Sequence, residues 1–332
     1  MTARHLWING QITLEGDAGL SPFDHGLLYG DGIFEGIRFY ERVPFRLRAH
    51  LERLARSAAA LALTIPYPLD ELAAAAYAMA ERAEEPDGYL RLIVTRGPGT
   101  LGLSPASCRR PTVLLLEAPI AVYDVPASGA AGLSVITAAT RQTAADALDP
   151  RVKSLNYLPR VLARIEAERA GADEALLLNA RGFLTEGTAD NLFTVTGGVL
   201  ATPPASDGAL DGITRGVLLE LAHAAGIPSQ VTSLATYDLY AADEVFLCGT
   251  AAELVPVRAV DGRAVPACPG PIFQHLAATF RDLVTRETRA AARTVAFNSG
   301  RNRLSNSHDV AVRPEDGAAG GLSGAGPRDS RG

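Results

Sequence analysis

Apolar and polar positions change rhythm repeatedly along the first third of the chain. The short runs His5-Leu6-Trp7-Ile8 and Gln11-Ile12-Thr13-Leu14 flank Asn9-Gly10, which favours a two-residue hairpin turn. Residues 21–32 are crowded with glycine and turn formers, so an irregular loop is expected there, followed by a second hairpin from 33–40 and 43–47. From Leu47 the spacing turns helical, with Leu47, Leu51, Leu54, Ala58 and Leu61 on one stripe. A second, alanine-rich helix is expected over 70–85, capped by Asp70 and stopped by Pro86-Asp87-Gly88. Residues 89–96 then alternate as a strand. Tyr89, Arg91, Ile93 and Thr95 share one face, and Leu90, Leu92 and Val94 the other.

Beyond a further strand at 111–117, residues 118–131 are rich in Ala, Gly and Pro and read as a linker. A strand at 133–138 opens the second half. A helix is expected from Lys153 to Ala170 with Leu158, Val161, Leu162 and Ile165 inward, stopped by Gly171. Strands follow at 175–178, 183–185, 191–196 and 199–202, then a helix over 215–225, a buried strand at 244–247 and a hairpin around Asp261-Gly262. The last helix is expected from about Pro271 to Arg293, and the Gly-, Ser- and Arg-rich remainder is expected to be disordered. This gives a domain over 1–118, a linker over 119–131, a second domain over 132–293 and a tail over 294–332.

Composition narrows the classes. A chain of 332 residues, 47% hydrophobic and 20% charged, can bury the cores of two domains. A net charge of −6 argues against nucleic acid or an anionic membrane as partner. No apolar run is long enough to span a bilayer and no leader pattern opens the chain, so a cytoplasmic protein is expected. Cys108, Cys248 and Cys268 are too scattered for a disulfide framework or a metal site.

The candidate chemistry centres on Lys153, Tyr157 and Glu186. An uncharged amine attacks an aldehyde, so Lys153 suits a Schiff base if its surroundings lower its pKa; Glu186 suits a protonated pyridine nitrogen and Tyr157 a ring oxygen. Gly212 before a helix start offers free N–H groups to an anion, although an ordinary capped helix reads the same way. Arg46, Arg48, Arg53 and Arg56 decorate the first helix as a solvated face would, but Arg53 lies at the edge of the apolar stripe, where burial would demand an anion. Tyr89 and Arg91 can jointly hold a carboxylate, or Arg91 can pair with a structural acid. Tyr29 and Phe34 suit a pocket or plain core. Gly97-Pro98-Gly99-Thr100-Leu101-Gly102 matches the dinucleotide fingerprint in letters only, because prolines crowd it and no helix follows.

Lys-Ser-Leu-Asn-Tyr at 153–157, Glu-Gly-Thr-x-x-Asn-Leu-Phe at 186–193, Gly-Ile-Thr-Arg at 212–215 and Gly-Thr-Ala-Ala-Glu at 249–253 resemble, in order and spacing, the fold-type IV pyridoxal phosphate enzymes. The closest resemblance is to the branched-chain amino acid aminotransferases, over about residues 4–290. It implies a mixed α+β, two-domain fold: a small N-terminal α/β domain and a larger C-terminal domain with a barrel-like sheet, the cofactor lying between them. It implies amino-group transfer from Leu, Ile or Val to 2-oxoglutarate in a homodimer, with Lys153 catalytic. Arg53, Ile213, Thr214 and Thr250 would hold the cofactor phosphate, Tyr157 and Glu186 its ring atoms, and Leu210 its face. Tyr89 with the backbone of Thr250 and Ala251 would take the substrate α-carboxylate, Arg91 and Tyr29 the γ-carboxylate of glutamate, and Phe34 would wall the pocket. Tyr29, Leu101 and Leu103 would serve the partner's site. The family's linker tyrosine is missing, Gly129 standing in its place and Tyr123 lying too early. The alternatives are a D-amino acid or (R)-amine transaminase, an aminodeoxychorismate lyase, or a non-catalytic cofactor-binding protein.

Overall fold

The computed structural model describes residues 4–120 and 132–305, with side chains as far as Ala291. Most of the expected linker, with Tyr123 and Gly129, and the tail beyond 305 lie outside the described residues.

Strands β1 (His5–Ile8) and β2 (Gln11–Leu14) form the predicted hairpin, and Asn9 and Gly10 both take positive φ. Residues 21–32 are not wholly irregular: a short helix α1 (His25–Tyr29) forms there. Its reason is local, since Asp24 accepts from the Gly26 N–H and Gly30 closes the helix in the left-handed region. Then come β3 (Gly32–Tyr40), β4 (Val43–Pro44), α2 (Leu47–Ala60), α3 (Leu69–Arg82), β5 (Gly88–Thr95) and β6 (Thr112–Ala118). Asp70 is not the cap of α3. Pro68 occupies that position, and Asp70 lies in the first turn, where its charge still suits the helix dipole.

These strands make a six-stranded sheet in the order β2-β1-β6-β5-β3-β4. The alternation expected in β5 holds. Leu90, Leu92 and Val94 join Ile33, Ile37 and Phe39 of β3 in a core covered by α2 and α3, while Tyr89 and Arg91 face away from it. Residues 97–111 contain only a one-turn 3-10 helix, so no dinucleotide-binding unit is present there.

The second half comprises β7 (Leu133–Arg141), α4 (Leu158–Arg169), β8 (Glu174–Leu178), β9 (Leu184–Gly187), β10 (Asn191–Thr196), β11 (Val199–Thr202), α5 (Ile213–Ala224), β12 (Ser229–Val231), α6 (Thr236–Tyr240), β13 (Glu244–Gly249), β14 (Glu253–Val260), β15 (Arg263–Ala264) and α7 (Pro271–Ser305). Strands β10-β13-β14-β7-β8-β9 form a ring, because Asn191 of β10 pairs with Glu186 of β9 and closes it. The mixed α+β class and the barrel-like second sheet are therefore present. Helix α4 buries a different face from the one expected. Ala163 and Ala167 pack inward, and Leu158, Val161 and Leu162 are exposed. The small side chains let α4 lie close against β7 and β8, which turns the leucine stripe outward. Helix α7 continues to Ser305 rather than ending near Arg293, with no proline in that stretch to stop it. Residues Met1–Ala290 cluster as one compact unit.

Candidate active site

The catalytic candidate sits where the two sheets meet. Residues 153–155 leave the second sheet's territory and run along β3: the Phe34 N–H donates to the Lys153 carbonyl at 2.9 Å, and the Leu155 N–H to that of Gly32 at 2.9 Å. This short antiparallel contact fixes Lys153 beside Phe34, whose ring centroid is 4.5 Å from Nζ. Nζ also donates to the Tyr157 hydroxyl at 3.3 Å. Burial alone would raise the Tyr157 phenol, but the positive charges of Lys153 and Arg160 bring it below its usual value.

Lys153 opens onto a cavity lined from both sheets. Arg53, Phe34, Tyr89, Arg91, Tyr157, Glu186, Leu210, Ile213, Thr214, Thr250 and Ala251 all line it, so each pocket residue expected from the sequence is brought together except one. The exception is Tyr29. It lies outside the cavity, its hydroxyl accepting from the Gly102 N–H at 3.0 Å, on the same exposed surface as Leu101 and Leu103.

Glu186, buried at the closing strand of the barrel, receives a donor on every side. Oε1 accepts from Arg160 Nη2 at 2.5 Å and Gln142 Nε2 at 3.1 Å; Oε2 accepts from the Leu210 N–H at 3.0 Å and Asn191 Nδ2 at 3.4 Å. Asn191 stands in the 186–193 motif without a role assigned from sequence, and Arg160 and Gln142 were missed. Only a cation at i+3 from Tyr157 on a helix start hinted at the first.

At the other end of the cavity Gly212 caps α5 without a side-chain bond, leaving the first N–H groups of the helix facing it. A Cβ on Gly212 would meet Asn191 Oδ1 at 2.0 Å, so the close packing there requires glycine. Arg53 reaches the same end, with Nη1 donating to the Asp211 carbonyl at 2.9 Å. It is buried as expected, but the anion that accompanies it is Glu35, which sequence reading missed. Arg53 Nε and Nη2 donate to the two Glu35 oxygens at 2.8 and 2.8 Å, and His50 Nδ1 lies 2.8 Å from Oε2. Glu35 was detectable as a lone carboxylate on the face of β3 that otherwise carries Ile33, Ile37 and Phe39. Burial pushes its carboxyl up, but the charges and hydrogen bonds of Arg53 and His50 overcome this and bring it to about 2. Glycine, a helix N-terminus and a guanidinium together suit a phosphorylated ligand.

Another wall of the cavity is framed by β3 and β5. Arg91 stacks on Phe34, 4.3 Å from its centroid, and pairs with no carboxylate among the described residues. The Tyr89 hydroxyl lies over Gly36, where a Cβ would sit 1.8 Å from it. The turn carrying Thr250 and Ala251 is tied to β3, since Arg38 Nη1 donates to the Ala251 carbonyl at 2.8 Å and the Tyr40 hydroxyl to Glu253 Oε1 at 2.8 Å. Neither tie was read from the sequence. Among the described residues no cluster of His, Cys, Asp or Glu is placed to hold a metal, and the three cysteines are free.

Residues 32–260, which include every residue lining the cavity, match the family model described as Amino-transferase class IV, and the fold is that of the class. A Methanocaldococcus jannaschii relative is 46% identical over 282 residues, covering 85% of this chain and 96% of the relative. The Escherichia coli K12 branched-chain-amino-acid aminotransferase is 34% identical over 293 residues, covering 86% and 94%. A solved T.th. branched-chain amino acid aminotransferase, complexed with N-(5'-phosphopyridoxyl)-L-glutamate, superposes with a TM-score of 0.81 at 34% identity, covering 87% of this chain and 98% of that one. The chain belongs to the branched-chain-amino-acid aminotransferases of class IV. The rival readings as a lyase or a D-amino acid or (R)-amine enzyme are not favoured by these likenesses.

Proposed function

We propose that this aminotransferase moves the amino group of leucine, isoleucine or valine to 2-oxoglutarate, with pyridoxal 5'-phosphate as its cofactor. The observation that carries the reading is the convergence of the Lys153 amine, the Glu186 carboxylate and the Gly212-capped helix start on one cavity. The phosphopyridoxyl-glutamate in the solved T.th. relative supports both the cofactor and glutamate as one partner.

Bound there, the cofactor supplies an aldehyde and an electron sink for charge developing at the substrate Cα. Lys153 would be the amine that holds the cofactor and the base that takes the substrate Cα proton. Glu186 would hold the ring nitrogen of the cofactor and keep a proton on it, and Tyr157, beside Lys153, would steady the ring oxygen. Arg53, Ile213, Thr214 and Thr250 would hold the phosphate, with Leu210 at the ring face. Tyr89 and the backbone of Thr250 and Ala251 receive the α-carboxylate. Arg91, held over Phe34, takes the γ-carboxylate of glutamate, while Phe34 itself presents an apolar wall to leucine. That combination answers the need of one pocket to accept an apolar and an acidic side chain in turn.

We read the six-stranded sheet with its helices as a small domain over 1–118 and the barrel with its helices as a large one over 132–293. The outward face of α4, with Tyr29, Leu101 and Leu103, which would complete the partner's site, supports a homodimer. Free thiols suit the reducing cytoplasm, and no helix among the described residues is long and apolar enough to cross a membrane. The direct test mixes cofactor-loaded protein with L-leucine, D-alanine or an (R)-amine and follows the loss of its visible absorption. L-leucine alone should discharge the band rapidly. Lys153→Ala should abolish turnover, and a turning-over K153A protein would refute the assignment.

A further inference from the structure

Arg160 lies in the first turn of α4, where a cation opposes the helix dipole, so helix stability does not account for it. Its side chain is nonetheless only 11% exposed. Nη2 meets Glu186 Oε1 at 2.5 Å, Nη1 donates to the carbonyls of Thr188 at 3.2 Å and Gly187 at 3.4 Å, and the guanidinium carbon lies 4.9 Å from the centroid of the Tyr157 ring. One cation therefore bridges the carboxylate and the phenol that address different edges of the cofactor ring. It also divides the labour of the Glu186 oxygens. Oε1 is taken by Arg160 and Gln142, whereas Oε2 has one ordinary donor and one at 3.4 Å and keeps capacity for a further proton donor.

We infer that Arg160 is a positioning residue that anchors Glu186 through Oε1, leaves Oε2 for the ring nitrogen, and sets the proton balance of the bound cofactor through its charge beside Tyr157. The inference rests on the pyridoxal phosphate reading above. A unit positive charge a few ångströms from the Lys153–cofactor linkage disfavours that linkage's protonated form. Removing it also leaves Glu186 with one positive neighbour fewer, which favours the same protonated form. Both effects have one sign.

The experiment is a pH titration of the visible absorption of cofactor-loaded wild type, Arg160→Gln, Arg160→Met and Arg160→Lys. In R160Q and R160M the midpoint should rise by about one pH unit, and in R160K, which keeps the charge, it should return towards wild type. R160M retains the apolar stem against Tyr157, so it decides the matter if R160Q does not fold. Midpoints in R160Q or R160M that match wild type in protein retaining its band would overturn the inference, as would an R160K shift equal to that of R160Q. A wild-type protein with no visible band would instead overturn the cofactor reading itself.

Discussion

Glu35 shows how much of a binding site hangs on a residue that touches no ligand. It is fully buried, holds two nitrogens of Arg53 and lies against His50, so the guanidinium that reaches the α5 end of the cavity is oriented from behind. Its carboxyl is held at about 2 against an ordinary 4.5, so it contributes stability that is complete above about pH 4.5 and lost as the pH falls towards 2. Burial also lowers the His50 imidazole, which therefore adds a loss of the same sign on acidification below its ordinary 6.5. Unfolding free energies from urea titrations at pH 7 and pH 3 should differ by about 2 kcal/mol or more, and Glu35→Gln should flatten most of that difference while weakening cofactor retention. An unchanged pH dependence in E35Q would refute the linkage. The sequence made Arg53 legible as a cation in need of an anion, because its place on the apolar stripe was plain. Which anion was not legible, since the pairing is made by α2 packing on β3 across 18 positions of sequence.

Among elements, local rules were legible and partners were not. The Asn9-Gly10 hairpin and the alternation of β5 each depend on a few neighbouring residues and formed as read, whereas α5 starts at Ile213, two residues before the expected Arg215, on the Gly212 cap. Periodicity likewise marked α4 as amphipathic, but a stripe of leucine says only that something apolar covers it, and among the described residues of one chain nothing does. Asp70 failed as a cap because Pro68 already begins the helix. The pairing of β3 with β5 sets Gly36 opposite Arg91, beneath the Tyr89 hydroxyl. Gly36→Ala should displace that phenol without disturbing the Ile33, Ile37 and Leu92 core behind the sheet. Overpacking of this kind costs about 1–3 kcal/mol, so KM for leucine should rise about tenfold or more with kcat less affected. Unaltered steady-state kinetics in G36A would show that Tyr89 does not hold the substrate.

At the scale of the molecule, the closure of the barrel and the outward leucines bear on the same question. Closure brings Glu186 to the side of Asn191 at the cavity, a long-range event that no spacing in the sequence announces. On the outer surface Leu27, Leu101 and Leu103 stand 62%, 71% and 82% exposed, with Leu158, Val161 and Leu162 of α4 also turned outward. Scattered apolar side chains on a surface need no explanation, but a helix face of them does. A second copy of the chain would bury this face and offer Tyr29 and the 101–103 loop to a neighbouring cavity. Replacing Leu158 and Leu162 together with aspartate places two charges where the partner should sit, and isolated charges are costly to bury. Light scattering should then report a monomer, with turnover falling by an order of magnitude or more while the far-ultraviolet circular dichroism is kept. A monomeric double variant with full activity would show that each chain carries a complete site of its own. A variant that remains dimeric would place the interface elsewhere on the surface.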